Sequence, residues 1–446
     1  MRARPLLLGI VAITLAFSGC LDSLFGATVV DYGAPAELAS VLACPPGQRL
    51  TRFSGSPCVG TFEAQDAHLV EPNLAVDPSN PLRMALGANA VSHIPLLVFP
   101  GPVPAVPGVP MGFNVDVFVS EDGGARWRRT TFQAPHGPGQ LPFGSGDPSL
   151  AFDREGRLHV SFLGAFGTPS DYELAVVYTS SDDLGVTWSE PVVFRNDVEF
   201  NDRNWLTAGE DGSVYITWSA LPQSSAIAWS LDRGATWSNR TDVTPGCPFP
   251  SHVTFLGGTP SFACTREYRD IDLFRFDPET GNATRFAIAP RMFCILPRLF
   301  APTNDTLTVA CYGGSVATSL DGGQTWRGPV LPFAFTKIDD EWESRQFLWS
   351  DVDPWSGQLH LLVGPYNNTK GAKPMAHLVM DPVTLKIIEE TVLVPDGAPR
   401  RNPTARQWEN GDDFMTMAFT PDRGILMWTY DGAPDFAYVV PLQAVE

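Results

Sequence analysis

Lysine is almost missing from this chain. Four residues (Lys337, Lys370, Lys373 and Lys386) stand beside 49 carboxylates, and the net charge is −19 over 446 residues. Such a surface repels phosphate backbones and anionic headgroups, which argues against nucleic acid or a bare anionic membrane as partner and favours solubility. There is no C-x-x-C and no H-E-x-x-H, so no metal is expected. There is no G-x-S-x-G and no P-loop either, and no cofactor is expected. Asp351-Val352-Asp353 opens like a calcium loop, but the remaining ligands do not follow, so it reads as a first-strand turn. Beyond the N-terminal leader, no apolar run is long enough to cross a bilayer.

That leader has a basic start (Met1 to Arg4), an apolar core (Leu6 to Phe17) and then Ser18-Gly19-Cys20. The pattern is that of a secretory signal, and its small-small-Cys end resembles a lipobox, which predicts lipidation at Cys20. Six cysteines remain. Cys247 and Cys264 lie 17 apart, as do Cys294 and Cys311, and the second pair is the first displaced by 47. In an exported chain these read as two disulfides inside successive repeats, with Cys44–Cys58 as a third. Four sequons (Asn239, Asn282, Asn304, Asn367) accept glycans only in a host with that machinery.

One octet recurs. Ser120 to Trp127, Ser181 to Trp188, Ser230 to Trp237 and Ser319 to Trp326 share S-x-D-x-G-x-[TR]-W. It has the chemistry of a tight turn: the Asp accepts hydrogen bonds from turn amides, Gly supplies φ > 0, and Trp buries a large ring on the return strand. A strand–turn–strand unit recurs seven times, opening at Asn73, Ser149, Trp205, Ser251, Arg298, Phe347 and Met415. Several of its first strands look apolar on both faces, as expected near a central axis. The turns after Asp277 and Asp381 look like degenerate octets in repeats four and six.

The octets resemble the Asp-box, or BNR, repeat of the sialidase-type β-propellers, and the resemblance covers most of the chain after about residue 68. The fold expected is all-β: a propeller of four-stranded antiparallel blades, seven by the unit count and six by analogy with the catalytic sialidase domain. The organisation predicted is a signal over 1–20, a linker with a ring-closing strand over 21–67, and the propeller over 68–446. The closing strand falls at Arg49 to Phe53 or at Val59 to Ala64, and closure removes two exposed edges. Two inserts interrupt the period, a Pro-rich one at Ile94 to Met111 and an Arg-bearing one at Asp396 to Gln407.

Alternating strand direction sorts the polar residues. Asp-boxes and first-to-second turns share one face, so Asp122, Asp183, Asp232 and Asp321 are structural. Segments leading into first strands share the other face, with the second-to-third loops. There the catalytic candidates are Glu71, Asp147, Asp202, Tyr366 and Tyr430, and the ligand-binding candidates Arg203, Arg298, Arg345 and Asp413. Guanidinium groups grip carboxylates at two points, and paired acids transfer protons. The plainer reading makes many of these turn caps and inter-blade ion pairs. The sialidase resemblance implies an arginine triad, a Tyr–Glu nucleophile pair and an Asp acid/base. Its first arginine belongs to an Arg-Ile-Pro motif, where this chain has Val70-Glu71-Pro72. The reading is therefore a lipid-anchored, exported, monomeric propeller that recognises a glycan or other polar anionic ligand at its channel mouth, with or without hydrolysis. An active exo-sialidase or related glycosidase, and a protein-binding surface scaffold, are the alternatives.

Overall fold

A computed structural model describes residues 60–62, 67–92, 113–132, 145–168, 171–332, 347–392, 415–419, 423–430 and 436–443, apart from 125, 197, 199, 295, 304, 313, 365, 369–370 and 374–375. The leader, Cys20, Cys44, Cys58, Arg345, Asp413 and both inserts lie outside these residues. So do the side chains of Tyr366 and Tyr430.

Every blade begins on an inner strand and steps outward through antiparallel neighbours. Blade one is Ala67–Val76, Met84–Ser92, Phe113–Ser120 and Arg128–Phe132; blade two is Ser145–Phe152, Leu158–Thr168, Asp171–Ser181 and Val192–Phe194. Blade three is Phe200–Ala208, Val214–Leu221, Ser224–Ser230 and Ser238–Arg240. The inner strand of blade four is broken into Phe249–Pro250 and Thr254–Leu256, followed by Thr259–Arg266, Asp270–Asp277 and Asn282–Ile288. Blade five is Pro297–Phe300, Leu307–Cys311, Val316–Ser319 and Arg327–Val330; blade six is Phe347–Val352, Leu359–Gly364, Ala376–Asp381 and Lys386–Val392. Blade seven has Met415–Phe419, Arg423–Tyr430 and Phe436–Gln443, and its outer strand is Gly60–Phe62 from the other end of the chain. Gly60 pairs with Val439 and Phe62 with Ala437. The second of the two expected closing segments therefore does the closing, and its backbone groups bond to the far end of the chain instead of water. Inner strands of neighbouring blades touch around most of the ring, including the seventh against the first.

The first strands of blades one and seven are buried on both faces as expected, at Asn73, Leu74 and Ala75 and at Thr416, Met417 and Ala418. Blade three departs from that expectation. In blade three the second and third strands are buried almost end to end, while Phe200–Ala208 alternates with half-exposed residues. Middle strands lie between two neighbouring blades; inner strands have the axial channel on one side. Polar residues on the inner strands latch the blades together. Thr416 Oγ1 accepts the Leu74 amide (2.9 Å), Asn73 Oδ1 accepts the Leu150 amide (2.9 Å), and Ser149 Oγ accepts the Leu206 amide (2.9 Å).

The four Asp-boxes share one hydrogen-bond pattern. Ser120, Ser181, Ser230 and Ser319 each accept the amide of the glycine four residues on, at 2.7–2.8 Å. Asp122, Asp183, Asp232 and Asp321 each accept the amide four residues on, at 2.8 Å. Hydroxyl and amide donation by Thr236 and Thr325 holds the Asp232 and Asp321 carboxyls down at about 2. The boxes bind first-to-second turns of their own blades, as Gly123 N to Leu82 O (2.9 Å) and Gly322 N to Asp305 O (2.8 Å) show. Their tryptophans fill the gap to the preceding blade: Trp188 packs edge-on to Phe132 (4.8 Å), and Trp237 to Tyr178 (4.5 Å). Asp277 and Asp381 keep the Asp–Thr half of the device, bonding Thr280 (2.7 Å) and Thr384 (2.8 Å). Cys247–Cys264 and Cys294–Cys311 are disulfide-bonded within blades four and five, with Cα separations of 5.9 and 4.9 Å.

Candidate functional site

Three consecutive inner strands carry the same irregularity at the same height. Pairing with the second strand slips between Val70 and Asn73, between Gly146 and Ser149, and between Asp202 and Trp205. Inside each bulge one non-glycine residue is left-handed: Glu71 (φ 54°), Asp147 (φ 52°) and Arg203 (φ 54°). A Cβ in this region costs about 1–2 kcal/mol per residue, and bulges re-aim side chains that a regular strand would turn elsewhere. Here the three residues line one small cleft near the axis, with Asn204, Trp205 and Trp349. Gly87 lets the second blade approach this closely, since a Cβ there would fall 2.4 Å from Leu150 Cδ1.

Asparagines hold the group in place. Asn89 donates to Glu71 Oε2 (2.5 Å) and accepts the Asp147 amide (2.9 Å). Asn204 donates to the Asp147 carbonyl (2.7 Å) and accepts from Ser161 Oγ (2.5 Å). Asp202 lies beside Arg203, with Oδ2 3.8 Å from Nε. Burial first, and then the Asp147 carboxyl, push Asp202 up to about 6 against the pull of Arg203. Its side chain keeps 29 % of its surface exposed.

A second, tighter pocket shares Trp205 and Trp349 with the first, and adds Arg298, Tyr312 and Leu296. The Arg298 guanidinium sits 4.1 Å over the Trp349 ring and 5.8 Å from Trp205. Desolvation brings Arg298 down to about 10, opposed by Asp351. Burial raises Asp351, opposed by Arg298. His252 is held neutral by burial first and by Arg298 second. Arg298 Nε, Trp205 Nε1, Trp349 Nε1 and His252 Nδ1 have no hydrogen-bond partner among the described residues. Trp349 is only 6 % exposed. Aromatic rings, acidic groups and buried donors thus meet on neighbouring inner strands.

Of the residues singled out from sequence, Glu71, Asp147 and Arg203 line the first cleft, Asp202 stands beside Arg203, and Arg298 lines the second. Asp351, read as part of a turn, is instead a half-buried inner-strand residue whose charge is felt by Arg298, while Asp353 does cap the turn, accepting from Ser356 Oγ (2.6 Å). Sequence reasoning missed the channel roles of Trp205, Trp349 and Asn89. The only signal for the two tryptophans was their place on first strands, where core packing was equally expected.

No family model matches the chain, and no curated protein matches it. Solved structures are similar at low identity. A protein of unknown function from Dyadobacter fermentans is 14% identical, covering 86% of this chain and 97% of that one with a TM-score of 0.46. YCF48 bound to D1 peptide is 12% identical over 88% of this chain and 98% of that one, TM-score 0.49. Trypanosoma rangeli sialidase in complex with sialic acid is 12% identical, covering 93% of this chain but 58% of that one, TM-score 0.45. The chain is a β-propeller.

Proposed function

We propose that this protein recognises a carboxylate-bearing glycan at the mouth of its axial channel. The observation that carries the reading is the trio of matched bulges, which hold Glu71, Asp147 and Arg203 in left-handed backbone around one cleft. Left-handed backbone at a residue with a Cβ carries a cost that recurs at sites of binding and catalysis. Carboxylates accept from sugar hydroxyls, Arg203 and Arg298 bind an anionic substituent, and the half-buried Trp205 stacks on the ring. Hydrolysis is a second reading, favoured by Asp202, whose carboxyl is raised beside Asp147, a pairing suited to general acid–base work. Export fits the two disulfides, which form in oxidising compartments. A lipid on Cys20 would hold the protein at the membrane, and Cys20→Ala would then release it to the soluble fraction.

The test is Arg203→Gly, which removes the guanidinium and relaxes the left-handed backbone together. Binding to an array of acidic oligosaccharides should weaken by about 2 kcal/mol, the scale of a charge-assisted contact. The melting temperature should hold or rise. Unchanged affinity, or no glycan bound by the wild type, refutes the reading. A released-sugar assay on the same ligands decides hydrolysis, and capture of a protein with no glycan bound would favour the scaffold.

A further inference from the structure

The hairpin between the second and third strands of blade four breaks a local rule. Arg269 N donates to Arg266 O (3.0 Å), closing a four-residue turn, and both central residues are left-handed: Glu267 at φ 47° and Tyr268 at φ 58°. That is a type I′ turn, which hairpins normally fill with Asn-Gly or Asp-Gly because a Cβ is unfavourable at both places. A bulky aromatic residue at φ > 0 is an outlier. Nor does burial compensate, since Tyr268 remains 47 % exposed. What the turn achieves is display. It holds the phenol ring outward, 5.4 Å from the Phe249 ring at an interplanar angle of 30°.

The display is braced toward the channel. Tyr268 O accepts the Cys294 amide (2.8 Å) and Arg269 O accepts the Met292 amide (3.2 Å). Cys294 is bonded to Cys311, and the residues just beyond, Leu296 and Tyr312, line the deeper cavity. Leu296 of that wall is two positions along the chain from Cys294, the anchor of Tyr268, at most roughly 7 Å away.

We propose that Tyr268, backed by Phe249, is a second sugar subsite, stacking on the pyranose ring next to the one held in the channel. The proposal rests on the glycan reading of the channel. A single exposed ring face flanked by Arg266, Glu267 and Arg269 matches the apolar face and hydroxyl rim of one sugar. An extended apolar peptide would need a groove, and this is one ring.

The test pairs Tyr268→Gly, which suits the I′ backbone, with Tyr268→Phe, which keeps the ring. Probes are 3′-sialyllactose against free N-acetylneuraminic acid, and trigalacturonic against galacturonic acid. Tyr268→Gly should melt no lower than wild type, lose about tenfold in affinity for the oligosaccharide, and stay within about twofold for the monosaccharide. Tyr268→Phe should keep both affinities. Equal oligosaccharide affinity in wild type and Tyr268→Gly overturns the subsite alone. So does an equal loss for both probe lengths, which would place the effect in the channel, or a peptide ligand that needs Tyr268 where the sugars do not. A wild type that binds no probe overturns the channel reading and this one with it.

Discussion

Asp202→Asn should make the protein more stable at neutral pH. Burial raises the Asp202 carboxyl to about 6, against about 4 for an unfolded aspartate, and each tenfold change in proton affinity corresponds to about 1.4 kcal/mol. Between about pH 4 and pH 6 the native state therefore binds more protons than the unfolded chain, so stability falls as pH rises through that window. The stabilising protonated form is fully present below pH 4, and the penalty is complete above pH 6. The ceiling on that penalty is about 3 kcal/mol. Arg203 stands beside the carboxylate and 29 % of the side chain is exposed, so a gain of about 1–2 kcal/mol for the neutral amide is the working expectation. Urea unfolding followed by tryptophan fluorescence, at pH values from 4 to 8, measures it. The variant should match wild type near pH 4 and exceed it near pH 7.5. A variant less stable at pH 7.5, or a difference independent of pH, refutes the reasoning. If the same carboxyl serves a ligand, this gain comes with a loss of glycan affinity, the usual conflict between a polar site and stability.

Two further changes probe the frame around the site. Gly234→Ala puts a Cβ 2.0 Å from the Tyr178 hydroxyl in backbone at φ +83°. That hydroxyl bonds His159 Nδ1 at 2.8 Å, so we expect a loss of about 2 kcal/mol or more, and a thermal melt within a degree of wild type would contradict it. Replacing Cys294 and Cys311 together by alanine opens a bridge across 17 residues, with an expected loss of about 3 kcal/mol in the chain-entropy model. Denaturant midpoints read this directly, and non-reducing peptide mapping that finds free thiols in the wild type would remove its premise.

The repeated octets, the seven strand–turn–strand units and the paired cysteines were legible in the sequence because their information is local. An Asp-box is closed by hydrogen bonds reaching four residues along the chain, and both disulfides span 17 residues at equivalent places in successive blades. Composition and period were therefore enough to give an all-β ring and the face on which its turns lie. The channel was not legible in this way. Glu71, Asp147 and Arg203 come together from three blades only because each strand slips its register at the same height. A bulge depends on which residue faces which across the strand pair, and that register is set by packing in the assembled sheet. Trp205 and Trp349 belong to blades three and six, and their rings meet at 6.0 Å only once the ring has closed. Arg298 and Asp351 acquire their burial in the same way. Local chemistry decided the blades; closure decided which side chains share the axis.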